Sequence, residues 1–277
     1  MKVYSQAKIN IGLDIINKRQ DGYHNIKTIM YQIPLFEEMF FEKSTELKIE
    51  MVGIENLSLE DNIIYKSYLA LKNFTNKDLP FTCKVIKNVP YGAGLAGGTF
   101  NGANTLKFLN SAYDLDLSLK ELEKIGKNIG ADFPYCLNGG VFLAEGIGDI
   151  LQKIQIPKLN ILLINPGYEI STKEVYEKIR IDNKRVDFNK IRSSILLKDL
   201  DGLRENLINK MEEPVFEKHP DLYDLKEKIS SFNAAGLLSG SGSSLFGIFM
   251  NKEDLKRAYN YFKDIYDKVY GFGGEDV

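Results

Sequence analysis

The pattern of apolar and polar residues predicts β-strands at the start of the chain. Residues 3–15 and 26–33 are rich in apolar and β-branched residues, and a glycine-containing turn, 19–22, lies between them. Runs of this kind, bounded by turn residues, are typical of strands. Residues 81–89 have the same character and end at Pro90, which has no backbone N–H to donate. We therefore expect three strands here.

Helical periodicity appears between these strands and after them. In residues 61–74, apolar side chains recur every three or four positions, as on one face of a helix. Two later helices carry a start signal, because Ser118 precedes Glu121 and Ser171 precedes Glu174 by three positions. This spacing is that of a capping box, in which serine and glutamate each bond a backbone N–H of the other. We expect a helix to begin at each serine.

The order of the elements predicts an α+β protein with two domains. Further strands are expected at 159–164 and 245–250, among several helices. Neither an internal repeat nor a low-complexity linker interrupts this order. The two α+β halves meet near residue 155, which gives predicted domains at 1–155 and 156–277.

Composition and charge place the chain among ordinary globular proteins. Its 277 residues are 44% hydrophobic and 27% charged, and the formal net charge is -2. A nucleic-acid-binding protein usually shows a strong basic excess, so we expect no nucleic-acid partner. No apolar stretch approaches the roughly 20 residues of a membrane span, and the first residues lack the apolar core of a signal peptide. We expect a cytoplasmic protein with no membrane partner.

The cysteines and histidines indicate neither a disulfide scaffold nor a metal centre. Cys83 and Cys136 are far apart and form no CxxC pattern. The two histidines, His24 and His219, are too few for a His-rich metal site.

A glycine-rich segment, Gly92–Gly98, lies between a predicted strand and a predicted helix. Closely spaced backbone N–H groups at a helix N-terminus bind phosphate, and glycine leaves room for the ligand. The segment contains GxGxxG, but Pro90 separates it from the strand and no alternating βαβ series surrounds it, which argues against a dinucleotide-binding fold. A Walker A loop is excluded because no Gly-Lys-Ser/Thr follows. A phosphate cradle is favoured, with a flexible turn as the alternative.

A second loop of glycine and serine, residues 238–244, lies between two predicted strands. Taken alone, it indicates a hairpin turn. Two such loops in one chain favour the binding of a polyphosphate.

Several polar residues are candidates for chemistry, each with a plainer alternative. Lys8 and Asn10 are two apart on a predicted strand and share one face, which is either a site or an exposed surface. Tyr23 and His24 offer an aromatic face and a hydrogen-bonding ring, suited to a nucleobase or sugar, or else belong to a turn packed on the core. Asp132 follows a helix end and is either chemically active or the cap of a short helix.

Together these segments resemble the GHMP kinases in order and spacing, from Ala7 to about Gly247. The glycine loops alone indicate only the superfamily. The Lys-Ile-Asn strand and the KRxDGYH segment resemble, more narrowly, the members that phosphorylate the 2-hydroxyl of a diphosphocytidyl-methylerythritol in isoprenoid precursor biosynthesis. The matching segments are 8–10, 18–24, 90–95, 130–134 and 240–242.

The resemblance implies a two-domain GHMP kinase fold with the active site in the cleft between the domains, and ATP and Mg²⁺ as co-substrate and metal. It implies that Lys8 and Asp132 are catalytic. The residues implied to bind the substrate are Asn10, Tyr23, His24 and Tyr176. Those implied to bind ATP are Pro90, Gly92, Ala93, Gly94, Leu95, Ala96, Gly97, Gly98, Thr99, Gly240, Ser241 and Gly242, with Thr99 also a candidate metal ligand. We expect a monomer or a homodimer.

Three residues of the first loop depart from the family pattern Gly-Leu-Gly-Gly-Gly-Ser-Ser-Asn/Asp-Ala-Ala. Ala96 adds a Cβ where the backbone should approach phosphate, and Phe100 replaces a small hydroxyl residue. Gly102 weakens the start of the helix by roughly 1 kcal/mol relative to alanine. Two alternatives therefore stay open: another GHMP small-molecule kinase, or a non-catalytic paralogue that binds a cytidine ligand and has a degraded ATP loop.

Overall fold

The computed structural model describes residues 1–54 and 57–273. The chain divides into two compact units, each assembled from several segments. Unit 1 consists of Met1–Lys8, Gln32–Tyr91 and Ala96–Gly140. Unit 2 consists of Ile9–Tyr31, Gly92–Leu95 and the described part of Val141–Val277. The domain boundary near residue 155 stays a prediction. The two units are defined by contacts, and the chain passes from one to the other at positions other than 155.

The described residues of unit 1 form part of a sheet and four helices. Strand β1 (Lys2–Lys18) begins here, and β2 (His24–Lys43) ends here. Strand β2 pairs antiparallel with β4 (Phe81–Ile86), which pairs in parallel with β3 (Lys48–Val52). The helices are α1 (Ile63–Thr75), α2 (Gly97–Ala112), α3 (Leu119–Lys127) and α4 (Phe133–Asn138).

Aromatic side chains fill the core of unit 1. Phe41 of β2 stacks on Phe108 of α2 with ring centroids 4.6 Å apart. Phe81 of β4 lies 6.1 Å from Phe41 and 6.0 Å from Phe108. Buried aromatic pairs contribute beyond the area they bury, so this cluster fixes α2 against the sheet.

Unit 2 contains a four-stranded antiparallel sheet in the order β10-β7-β9-β8. Its own strands are β5 (Val141–Glu145), β6 (Ile150–Lys153), β7 (Asn160–Asn165), β8 (Ala234–Leu238), β9 (Leu245–Phe249) and β10 (Lys268–Phe272). Its helices are α5 (Thr172–Lys178), α6 (Phe188–Leu197), α7 (Leu200–Asn206), α8 (Glu212–Lys218), α9 (Pro220–Ser230) and α10 (Lys252–Phe262). Strand β5 pairs antiparallel with residues 28–31 of β2 and with β6.

The core of unit 2 draws on the start of the chain as well as its second half. Leu13 and Ile15 of β1 and Ile26 of β2 lie in one buried cluster with residues of the four-stranded sheet, such as Leu162 and Leu245. Burial of apolar surface is the dominant stabilising term in folding. Residues 9–31 are therefore integral to this unit.

The α+β class predicted from the sequence is confirmed. The segments expected as strands at 3–15 and 26–33 fall within β1 and β2, and those expected at 159–164 and 245–250 match β7 and β9 to within one residue at each end. The helix expected at 61–74 is α1, which begins two residues later. Strand β4 ends at Ile86, three residues before the predicted end. No helix in residues 1–54 and 57–273 is long and apolar enough to cross a bilayer.

Two short elements show no clear periodicity in the sequence, although the plainer interpretation of Asp132 includes a short helix there. Strand β6 has four residues and begins with Ile150, whose side chain is largely exposed. Helix α4 has six residues and contains Pro134 in its first turn. Neither is long enough to display a period of two or of 3.6 residues.

Candidate active site

The structure brings Lys8 and Asp132 together within unit 1. Lys8 lies on β1 and Asp132 at the start of α4, and Lys8 Nζ is 3.8 Å from Asp132 Oδ2. The lysine side chain is 6% exposed and the aspartate side chain 32% exposed. Asp132 occupies the N-cap position of the short helix α4, as its plainer interpretation expects, but its side chain makes no capping hydrogen bond there. A buried ammonium faces a carboxylate that solvent and ligands can reach.

The first glycine loop ends at the N-terminus of α2, as its sequence predicts. Ala96 is the N-cap residue of this helix, with φ of 58°, and no side chain caps the first turn. The first N–H groups of a helix have no intrahelical partner and carry partial positive charge. Gly97, Gly98 and the half-buried Thr99 therefore present an anion-binding end.

Ala96 adopts the left-handed conformation that glycine favours. For a residue with a Cβ, this conformation costs roughly 1–2 kcal/mol. The departure from the family pattern at this position is therefore a cost in backbone energy.

The other two departures are packing features of unit 1. Phe100 is 3% exposed, and its ring meets Tyr135 of α4 edge to face at 6.0 Å. A Cβ on Gly102 would lie 2.5 Å from Ile63 Cγ2 and 2.6 Å from Phe133 Cζ. Phe100 thus points into the core, and Gly102 admits Phe133 at close range. Phe100 therefore no longer supports the alternative of a paralogue with a degraded ATP loop.

The two glycine loops, predicted separately, contact each other in unit 2. Gly94 has φ of 75°, and a Cβ there would lie 2.0 Å from the carbonyl oxygen of Ser239. Ser239 Oγ donates to the carbonyl of Gly94 at 3.1 Å. The second loop does join the antiparallel strands β8 and β9, as a hairpin turn would. The second loop also packs directly against Gly92–Leu95 of the first loop.

Side chains that the sequence analysis did not identify fix the second loop. Asn209 Nδ2 donates to the carbonyls of Leu238 and Gly240 at 2.9 and 2.8 Å. Thr172 of α5 and Ser241 share a hydrogen bond of 2.7 Å between their hydroxyls. These partners are distant in sequence and lie in no glycine motif, so the sequence alone carried no signal for them.

Asn10 lies next to the second loop. Its Nδ2 donates to Thr28 Oγ1 at 3.0 Å, and Thr28 Oγ1 donates to the carbonyl of Gly12 at 2.6 Å. A Cβ on Gly240 would lie 3.2 Å from Asn10 Oδ1. Asn10 is buried, with its amide held in one orientation.

Two of the three aromatic residues expected at the substrate are in contact. His24 and Tyr176 stack with ring centroids 4.9 Å apart and an interplanar angle of 15°. Burial, with a smaller effect of Lys18, lowers the pKa of His24 below its usual value. Tyr23 is 57% exposed. The neutral form of His24 is therefore favoured at pH 7, and in that form one ring nitrogen can donate a hydrogen bond and the other can accept one.

A metal centre built from protein ligands alone is absent from residues 1–54 and 57–273, where no three His, Cys, Asp or Glu side chains cluster suitably.

Comparison with known proteins identifies the chain's relatives. The family model described as GHMP kinases N terminal domain matches residues 62–140, and the one described as GHMP kinases C terminal matches 191–268. A 4-diphosphocytidyl-2-C-methyl-D-erythritol kinase of Clostridioides difficile (strain 630) is 36% identical over 277 residues, covering 98% of this chain and 94% of the relative.

Solved structures share the fold. A 4-(cytidine 5'-diphospho)-2C-methyl-D-erythritol kinase superposes with a TM-score of 0.83 at 24% identity, covering 98% of each chain. A homoserine kinase from Cytophaga hutchinsonii gives a TM-score of 0.70 at 18% identity, covering 99% of this chain and 94% of that one.

Proposed function

Because the chain belongs to the GHMP kinases, within the group of 4-diphosphocytidyl-2-C-methyl-D-erythritol kinases, we propose that it phosphorylates the 2-hydroxyl of that cytidyl substrate with ATP. The step serves isoprenoid precursor biosynthesis in the cytoplasm. The observation that carries the proposal is the pairing of buried Lys8 with the accessible carboxylate of Asp132 at 3.8 Å. The Tyr23-His24 segment argues against the alternative that the chain is another GHMP small-molecule kinase, because it resembles the group that acts on the cytidyl substrate.

Asp132 and Lys8 perform the acid–base and electrostatic work. The substrate hydroxyl oxygen attacks the γ-phosphorus of ATP, the bond to the β,γ-bridging oxygen breaks, and ADP leaves with the bonding electrons. The hydroxyl proton passes to Asp132. Lys8, held within 3.8 Å of that carboxylate, orients the nucleophile and stabilises the charge on the transferred group.

The two glycine loops hold the phosphates of ATP. The uncapped first turn of α2 supplies N–H donors from Gly97 to Thr99. Within unit 2, the backbone of Gly92–Leu95 packs against the second loop, which includes Gly240–Gly242. Pro90, Ala93 and Ser241 belong to these loops and shape their course.

Thr99 would hold a Mg²⁺ ion, brought with the triphosphate, through its hydroxyl oxygen. A hydroxyl in the first turn of α2, beside open N–H groups, fits the hard oxygen ligands this ion prefers. When bound, the ion neutralises developing charge on the phosphate oxygens.

The cytidine end of the substrate binds at His24, Tyr23 and Tyr176. A neutral His24 matches the donor and acceptor groups on the polar edge of cytosine. Exposed Tyr23 and the Tyr176 ring next to His24 supply stacking faces. Asn10, fixed by Thr28, contacts the part of the substrate near the reacting hydroxyl. We expect the enzyme to act as a monomer or a homodimer.

The test is a coupled ADP-release assay with the cytidyl substrate, ATP and Mg²⁺. We expect turnover by the wild-type protein and a loss of about 10²–10⁴ in kcat for Asp132→Asn, with substrate affinity almost unchanged. Asp201→Asn is the matched control, because the Asp201 side chain is 90% exposed on α7. If the wild-type protein binds the cytidyl substrate but releases no ADP, the kinase proposal is contradicted and the ligand-binding paralogue is favoured.

A further inference from the structure

A buried ion pair and an amide lie near Gly97, at the start of α2 in unit 1. Glu37 of β2 is fully buried, and its Oε1 pairs with the ammonium of Lys87, whose side chain is 7% exposed. Its other oxygen, Oε2, accepts a hydrogen bond of 2.7 Å from Asn101 Nδ2. Asn101 itself is 2% exposed. One carboxylate therefore holds two partners away from solvent.

The two partners flank the loop in sequence. Lys87 follows the last residue of β4, and Asn101 lies in the second turn of α2. Glu37 is on β2, which pairs with β4 through Glu38 opposite Ile86. The chain leaves the sheet beside Lys87, forms the glycine loop, and returns in α2 to the same carboxylate at Asn101. Both ends of the loop are thus tied to a single point on the sheet.

The carboxylate also lies close to the anion-binding end of α2. A Cβ on Gly97 would be 3.6 Å from Glu37 Oε1. A negative charge here stabilises the helix N-terminus, but it also repels the phosphates that this end attracts. The ammonium of Lys87, which pairs with Glu37 Oε1, neutralises that charge. Breaking a buried pair by removing one partner leaves an uncompensated charge, which is strongly unfavourable.

We propose that Glu37, Lys87 and Asn101 form a positioning network that sets the geometry and charge of the ATP loop. The proposal rests on the proposed function only in that the loop binds the phosphates of ATP. None of the three residues needs to touch the nucleotide. Their effect reaches it through the backbone of Gly97–Thr99 and through the charge beneath it.

The experiment measures nucleotide binding and kinetics for three variants: Lys87→Met, Glu37→Gln and the double variant. For Lys87→Met we expect about a tenfold loss of ATP affinity, within the range of coupling energies between contacting residues, with kcat and the KM of the cytidyl substrate within twofold of wild type. The double variant removes both charges, so it should recover most of that loss. Lys84→Met and Glu50→Gln are matched controls, because Glu50 and Lys84 form an exposed pair, 3.0 Å apart, on β3 and β4.

Calorimetry of ADP binding without the cytidyl substrate separates this proposal from the proposed function. A protein that binds ADP but phosphorylates nothing would fail the assay above and still test the network. If Lys87→Met does not fold, Asn101→Ala, which cuts one tie and leaves the ion pair, should still lower ADP affinity several-fold. Equal ADP affinity in all folded variants, or a double variant no better than Lys87→Met, would overturn the proposal.

Discussion

In the pair of Lys8 and Asp132, one side chain is buried and the other is accessible to solvent. The lysine is almost fully covered, whereas a third of the aspartate side chain is open. Burying a charge without a partner is costly, so the Asp132 carboxylate helps to stabilise the Lys8 ammonium while part of its own surface stays open to solvent. The sequence identified both residues through their motifs, but not their proximity, since 124 positions separate them in the chain.

His24 shows what burial does to one titratable ring. Its pKa is lowered, first by burial and then by Lys18. The unfolded chain takes up a proton near the usual pKa of about 6.5, whereas folded His24 does so only at lower pH. The free energy of unfolding should therefore fall as pH drops below that value, because the unfolded state binds more protons.

We expect His24→Gln to flatten this part of the pH dependence. Urea unfolding of both proteins between pH 8 and pH 5.5 measures it. Identical pH slopes for the wild type and the variant would mean that His24 is not held neutral by the fold.

At the scale of elements, the glycine loops and helix starts show what local sequence determines. Ser118 and Glu121 form the complete capping box predicted for α3. At α5, Ser171 accepts from the Glu174 N–H as expected, but the Glu174 carboxylate pairs with Lys218 at 2.8 Å. A partner 44 residues away outcompetes the local bond. The same limit hid the contact between the two glycine loops, which depends on how β8 and β9 place residue 239.

The contact between the loops predicts an effect of Gly94→Ala. A Cβ would meet the Ser239 carbonyl at 2.0 Å, in a backbone conformation that alanine rarely adopts. We expect a loss of stability of about 2 kcal/mol or more and weaker ATP binding, because the loop must move. Thermal unfolding and ADP calorimetry measure the two effects.

Gly98→Ala is the matched control for stability. A Cβ there meets only Ile63 Cγ1, at 3.8 Å, an ordinary contact, and Gly98 lies within α2. Alanine is the better helix former by about 1 kcal/mol, so this variant should unfold at the same or a higher temperature. A Gly94→Ala protein as stable as the control would contradict the close packing of the two loops.

At the scale of the whole molecule, the chain passes between the two compact units several times. Composition and periodicity predicted the α+β class, and the motifs predicted the family. They placed one boundary near residue 155, because a linear pattern cannot reveal that residues 9–31 complete a core formed mainly after residue 140. That core is visible only once Leu13, Ile15 and Ile26 are seen beside the strands of the four-stranded sheet.

This interleaving predicts that the segments 1–155 and 156–277 do not fold when produced separately. Residues 156–277 alone lack the three buried residues that β1 and β2 contribute to their core. We expect poor dispersion in NMR spectra of each fragment, and recovery when the two are mixed and refolded. A cooperative unfolding transition of isolated 156–277 would favour the simple boundary instead.

The same threading orders events on the ribosome. Every segment of unit 1 has been synthesised by residue 140, whereas unit 2 waits for the remaining half of the chain. At about 5–20 residues per second this delay lasts roughly 7–27 seconds. During that time the apolar stretch 9–31 has emerged without the strands it will pack against.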